Sequence, residues 1–179
     1  MIYLIGGSSH SGKTLLAQKL LEAHRIPYLL IDHLKMGLIR SGVADLSPES
    51  PDAELTPYLW NIVREMVKTA LENGQHLIVE GCYIPCHYAE DFSPEQRGQI
   101  RALWLILSED YIREHFADIR AHASDIERRL DDSWCTQEML LRDNRAQLAE
   151  CRAHGAPYLL IEDEYQVDAA AFERAARSM

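Results

Sequence analysis

Eight residues near the N-terminus, Gly7, Ser8, Ser9, His10, Ser11, Gly12, Lys13 and Thr14, complete the spacing G-x-x-x-x-G-K-[ST] directly behind the apolar run Met1-Ile2-Tyr3-Leu4-Ile5-Gly6. The pattern needs a strand before it and a helix after it, and both are legible. Leu15–His24 carries Leu16, Leu20 and Ala23 at helical spacing. A loop of this length can curl until its backbone N–H groups point inward at a phosphate, a path that residues without a bulky Cβ allow. Gly7 and Gly12 supply that freedom. Lys13 then bridges the β- and γ-phosphates, Thr14 offers its hydroxyl to Mg²⁺, and the helix start places its positive dipole end beneath the phosphates. The competing explanation is an ordinary Gly/Ser turn, which the strand-and-helix context disfavours. The motif therefore implies ATP or GTP as ligand, with Mg²⁺.

Apolar runs alternate with helical patterns along the rest of the chain. Ile2–Ile5, Tyr28–Ile31, His76–Val79, Ala102–Leu107 and Tyr158–Ile161 read as five strands. In Tyr58–Asn73, Leu59, Ile62, Val63, Met66, Val67 and Ala70 form one stripe that Gly74 ends. Asp32 is a candidate N-cap for a helix over Leu34–Ser41. Ser108 can cap Glu109–His122, Ser124-x-x-Glu127 has the form of a capping box, and Thr136 can start a long helix ending at Gly155. Asp168–Arg177 reads as a closing amphipathic helix. This alternation predicts an α/β domain, a parallel sheet covered by helices on both faces. Trp60 and Trp104 read as core, while Trp134 lies in a charged stretch. Two segments break the rhythm, Gly42–Pro57 and Ala121–Thr136, and both are candidate flaps.

The chain has 179 residues, 47% of them hydrophobic, enough for one well-buried core, so residues 1–179 are expected to form a single domain. A net charge of −10 without a Lys/Arg-rich run argues against nucleic acid as a partner. No apolar run approaches the ~20 residues of a membrane helix, and no secretion signal is visible, so a cytoplasmic protein is expected. Cys82, Cys86, Cys135 and Cys151 are then expected to be reduced thiols. Cys82-x-x-x-Cys86-His87 lacks a second ligand pair at structural-zinc spacing and is read as incidental.

Ligands of parallel α/β sheets sit at the carboxyl ends of the strands. Asp32-His33 follows the second run and Glu80-Gly81 the third, so both acids are expected beside the phosphate loop. Asp32 can accept or orient the proton of an acceptor hydroxyl; Glu80 can hold a water on Mg²⁺ or bind the acceptor. His33 is read as a polar neighbour of Asp32, and Arg40 can reach an acidic acceptor from the following helix. Phosphoryl transfer spreads negative charge over the γ-phosphate oxygens, which a guanidinium can bind two at a time. Arg113, Arg120, Arg128, Arg129 and Arg142 lie in or around the second flap, with Arg120 and Arg129 the candidates for closing over the phosphates. Most of the others are expected to pair with neighbours such as Glu109.

With these parts in this order, the chain resembles, over nearly its full length, the small P-loop kinases of the nucleoside-monophosphate-kinase-like group. That group includes adenylate, uridylate, shikimate and gluconate kinases and chloramphenicol phosphotransferase. The resemblance implies sheet order 2-3-1-4-5, an acceptor flap over about 33–57 and a helical lid over about 120–142. Arg129-Leu130-Asp131-Asp132 followed by Arg142 is similar to the lid of nucleotide kinases, without the usual Gly before the lid arginine. Leu77-Ile78-Val79-Glu80-Gly81 with Pro85 resembles the strand end of 2-phosphoglycerate-kinase-like proteins. Asp32 stands where members that phosphorylate hydroxyls place their base or anchor. The resemblance thus implies a kinase using ATP and Mg²⁺ on a small anionic metabolite, acting as monomer or homodimer. The alternatives are a nucleoside or nucleotide kinase, and a nucleotide-dependent switch.

Overall fold

The computed structural model describes residues 1–126 and 132–176. Five strands, β1 (Ile2–Gly7), β2 (Tyr28–Leu30), β3 (Leu77–Glu80), β4 (Ile100–Leu107) and β5 (Tyr158–Ile161), form one parallel sheet in the order β2-β3-β1-β4-β5. Seven α-helices among the described residues connect and cover them: α1 (Lys13–His24), α2 (Ile31–Arg40), α3 (Asp52–Glu72), α4 (Pro94–Arg97), α5 (Glu109–Ala121), α6 (Gln137–His154) and α7 (Ala169–Ala175). The expected fold class and strand order are those observed.

The near-continuous apolar strands follow from burial on both faces. Successive side chains alternate across a strand, so β1 sends Ile2 and Leu4 to one face and Tyr3 and Ile5 to the other. The first face packs on Leu55, Leu59, Val63 and Val67 of α3, with the fully buried Trp104 at its centre. The second packs on Leu16, Ala17 and Leu20 of α1, Ile112 of α5, Leu140 of α6 and Phe172 of α7. Trp60 joins the first core, whereas Trp134 is 48% exposed.

Several boundaries differ from the sequence reading. Helix α2 begins at Ile31 with Leu30 as its N-cap, so Asp32 lies inside the first turn and caps nothing. The cause is Ile31, which is fully buried and packs where a Cβ on Gly81 would come within 2.9 Å of it. The chain turns into the helix as soon as β2 ends. Helix α3 starts at Asp52 rather than Tyr58, with Pro57 inside it, because docking of Leu55 on the sheet outweighs the proline's lost hydrogen bond. The C-terminal part of the first expected flap, Asp52–Pro57, is therefore helical. Ser108 and Thr136 cap α5 and α6 as expected, accepting from Tyr111 N and Met139 N, and Gly155 ends α6 at φ 65°. Asp168 caps α7 through Ala171 N. Ser124 closes a 3-10 turn, His122–Ser124; Glu127, its expected capping-box partner, lies outside the described residues, as does Arg177.

One buried polar residue joins the sheet to the helix before β5. Asn144 of α6, 2% exposed, accepts from Leu107 N at 2.9 Å through Oδ1 and donates to Leu140 O at 2.9 Å through Nδ2. It satisfies the last amide of β4. Asn144→Ala leaves that amide buried without a partner and is expected to lower the unfolding free energy by about 2 kcal/mol. Urea denaturation measures it; a loss under about 0.5 kcal/mol would mean that the Asn144 bridge contributes little.

Candidate active site

The phosphate-loop residues Gly7–Thr14 run from the end of β1 into α1 as the spacing requires. Gly12 has φ 85°, and a Cβ there would lie 1.6 Å from the Tyr165 hydroxyl. Only glycine fits. Tyr165, from the segment after β5, donates to Ser11 O at 3.0 Å and braces the loop from behind. Burial and the neighbouring Tyr111 hold the Tyr165 phenol above its ordinary range, so it stays a neutral donor.

Lys13 is buried, 8% exposed, and its Nζ donates to Ser8 O at 2.8 Å. The ammonium thus lies folded along its own loop. Burial alone would lower its pKa, yet the charges of Cys82, Glu80 and Asp32 hold it above the ordinary lysine value. It remains a cation throughout the physiological range. Thr14 Oγ1 donates to Glu80 Oε1 at 2.8 Å, joining the start of α1 to the end of β3. Glu80 is 4% exposed and stands opposite Ile5 in the β1–β3 register. A hydroxyl and a carboxylate so close together form a set of hard oxygen donors suited to Mg²⁺.

A second cluster lies against the first. Asp32, in the first turn of α2, pairs with Lys35 Nζ at 3.0 Å, and Lys35 also donates to the Tyr83 hydroxyl at 3.0 Å. Burial works against the Lys35 charge, but Tyr83 and Asp32 outweigh it and hold its pKa above the ordinary range. Tyr83 and Cys82, from the turn after β3, titrate above their usual values, chiefly through burial. Asp32 and Glu80 both act electrostatically on Lys13, so these groups form one connected set. Neither Lys35 nor Tyr83 was singled out in the sequence. The i, i+3 spacing of Asp32 and Lys35 was the signal for the former; nothing local marked Tyr83.

The remaining expected site residues fall in different places. His33 is exposed, and its side chain makes no hydrogen bond among the described residues. Arg40 is exposed at the far end of α2, about 12 Å of helical rise beyond Asp32, and makes no contact with the cluster. Gly81 has a packing role: its amide donates to Ile5 O at 3.1 Å, and its missing side chain makes room for Ile31. Arg120 is exposed at the end of α5, bordering a depression shared with Ser124 and Asp132. Arg113 and Arg145 pair with Glu109, and Arg142 with Asp143. Arg128 and Arg129 lie outside the described residues. Cys86 Sγ lies 3.5 Å from Cys151 Sγ, in the core, while Cys82 faces Lys13, so the two cysteines of Cys82-x-x-x-Cys86 point to different surroundings.

Beyond the loop, a cavity of about 470 Å³ runs between Thr14 and Leu15 on one side and Tyr111, Ile119, His122, Ile126 and Tyr165 on the other. Its walls are mostly apolar, and Lys13 and Gly12 form its floor. That is the volume and character of a small-ligand site.

Solved structures with the same arrangement of elements cover almost the whole chain. A Sinorhizobium meliloti gluconokinase superposes with TM-score 0.51 and 16% identity, over 97% of this chain and 87% of that one. A Bacteroides thetaiotaomicron shikimate kinase does so with TM-score 0.50 and 13% identity, over 97% and 95%. A Chloroflexus aurantiacus protein provisionally described as a kinase gives 0.52 and 18%, over 97% and 94%. The chain has the fold of the small P-loop kinases. No protein-family model matches the chain, and the curated proteins yield no match.

Lys13→Ala is expected to abolish nucleotide-dependent turnover while changing the unfolding midpoint little. The variant removes the cation expected to meet the phosphates and empties no apolar core position. Parallel turnover and thermal-denaturation measurements check it, and retained turnover would remove this loop from the site.

Proposed function

We propose that this protein is an ATP- and Mg²⁺-dependent kinase that transfers the γ-phosphate to a hydroxyl of a small anionic metabolite, a sugar acid or a 2-phosphoglycerate-like acceptor. The observation that carries this reading is the pairing of Asp32 with Lys35 beside Lys13. One group suits an acceptor hydroxyl and the next an acceptor anion.

The chemistry follows from the residues. ATP places its phosphates along the N–H groups of Gly7–Thr14 and its base in the apolar cavity lined by Tyr111, Ile119 and Ile126. Lys13 leaves Ser8 O for the β- and γ-phosphate oxygens, exchanging a neutral carbonyl for charged partners. Thr14 and Glu80 would hold Mg²⁺, which when bound neutralises phosphate charge. Asp32 accepts the acceptor's hydroxyl proton or fixes its orientation. Lys35, held by Tyr83, binds the acceptor's acidic group, and releasing Asp32 from the ion pair as it does so frees the carboxylate for the hydroxyl. Arg120 and Arg129 are the candidates for closing over the phosphates. The fold neighbours named gluconokinase and shikimate kinase support the hydroxy-acid reading by analogy alone.

ADP release from ATP and Mg²⁺ across sugar acids, phosphoglycerates, nucleosides and nucleoside monophosphates is the direct test. Stimulation by a hydroxy acid or phosphoglycerate supports the reading. Stimulation by AMP or a nucleoside would favour a nucleotide or nucleoside kinase instead, and slow hydrolysis indifferent to every acceptor would favour a switch. With the acceptor in hand, Asp32→Asn is expected to lower the maximal rate by about 10²-fold or more if Asp32 is the base. A raised Michaelis constant at full rate would make it an anchor. Lys35→Met is expected to raise the Michaelis constant for the acceptor by about tenfold or more, leaving that for ATP little changed. Equal changes in both would remove Lys35 from acceptor recognition.

A further inference from the structure

Among the described residues, the histidine, cysteine and acidic side chains converge at one place with metal-ligand geometry. His10 Nε2 lies 2.9 Å from both carboxylate oxygens of Asp132. One ligand atom from each of His10, Asp132 and Cys135 lies within 4.8 Å of the other two. The three belong to segments 122 residues apart, the phosphate loop and the approach to α6. Convergence over such a distance is a product of the fold and not of local composition.

Each group is held. His10 has φ 62°, a left-handed backbone uncommon outside glycine, and its ring is buried. The exposed Trp134 ring stands edge-on to it, with centroids 5.6 Å apart. Cys135 is 2% exposed, and its amide donates to Asp132 O at 3.1 Å, closing a turn that brings Asp132 and Cys135 together. Thr136 caps α6 directly afterwards, fixing the end of that turn.

We propose that His10 Nε2, one carboxylate oxygen of Asp132 and the Cys135 thiolate form a three-ligand site for a borderline transition-metal ion of the zinc class. Imidazole and thiolate select such an ion over Mg²⁺ or Ca²⁺, which prefer oxygen. Ligands at about 2.0–2.3 Å from a tetrahedral ion stand about 3.3–3.8 Å from one another. The observed cluster reaches that spacing with side-chain shifts of about an ångström, and a water completes the fourth position. Binding forms the metal–sulfur bond and releases the thiol proton to solvent; no electron is transferred. Because His10 belongs to the phosphate loop, the ion ties that loop to the start of α6. This site is separate from the Thr14–Glu80 oxygen pair and does not rest on the kinase reading.

Cobalt(II) titration of the full chain without nucleotide, which would itself chelate metal, tests the site. One cobalt ion per chain is expected, with a thiolate-to-cobalt charge-transfer absorption that zinc abolishes by displacement. Cys135→Ser is expected to remove the absorption, Asp132→Asn to weaken cobalt binding by about tenfold or more, and Cys86→Ser to leave both unchanged. Absence of the absorption in the wild-type chain, its survival in Cys135→Ser, or its loss in Cys86→Ser overturns the proposal. If the buried Cys135→Ser variant does not fold, Asp132→Asn decides at a more exposed position, since unchanged affinity there overturns the proposal equally.

Discussion

The buried ammonium of Lys13 is the constraint around which the rest of the site is arranged. A cation with so little exposure needs partners, and the nearest is the carbonyl of Ser8 in its own loop. A neutral carbonyl is a weak substitute for hydration. The remaining compensation comes from Glu80 at the end of β3, Asp32 at the start of α2 and Cys82 between β3 and Tyr83. Two separate segments, the end of β3 and the start of α2, thus converge on one charge in the loop after β1.

Strand order is what makes this convergence cheap in backbone terms. With β1 between β3 and β4, the phosphate loop leaves the middle of the sheet with β3 on one side and β4 on the other. The part of the second cluster that follows β3 is then one strand away, and the part that follows β2 is two. Ile5 faces Glu80 in the ladder, so the carboxylate emerges beside the loop, where the Thr14 hydroxyl donates to it. Ile31 does the equivalent for β2. By burying against Gly81 it ends the strand early and swings Asp32 and Lys35 toward the β3 end.

The residues that were legible in the sequence are those whose chemistry is local. Gly12, Lys13 and Thr14 belong to a fixed spacing, and the alternating faces of β1 and the stripe of α3 follow from period alone. Asp32 and Glu80 could be placed because they end apolar runs. Where long-range packing decides, the sequence misled. Asp32 looked like a cap until the burial of Ile31 moved the helix start, and Pro57 looked like a boundary until Leu55 docked on the sheet. Lys35 and Tyr83 were missed for a related reason. A lysine on an exposed-looking helix and a tyrosine in a loop acquire meaning only when β3 sets them side by side, 48 residues apart.

His10 shows the same limit from inside the motif itself. The phosphate-loop spacing leaves that position unspecified, so a histidine there reads as filler. In the folded chain it turns inward at a left-handed backbone angle and meets Asp132. A variable position of a fixed motif is free to take on a task that the motif does not need, provided that the loop keeps its path. Here Gly7 and Gly12 absorb the bends of the loop, Tyr165 braces it at Ser11, and the side chain of His10 is left to make a contact across the fold. The loop is thereby coupled to the turn at Asp132–Cys135, and through the Thr136 cap to α6. Helix α6 in turn holds the last amide of β4 through Asn144, two turns into the helix, so the phosphate-loop motif and the strand beside it are fixed to the same helix at two points.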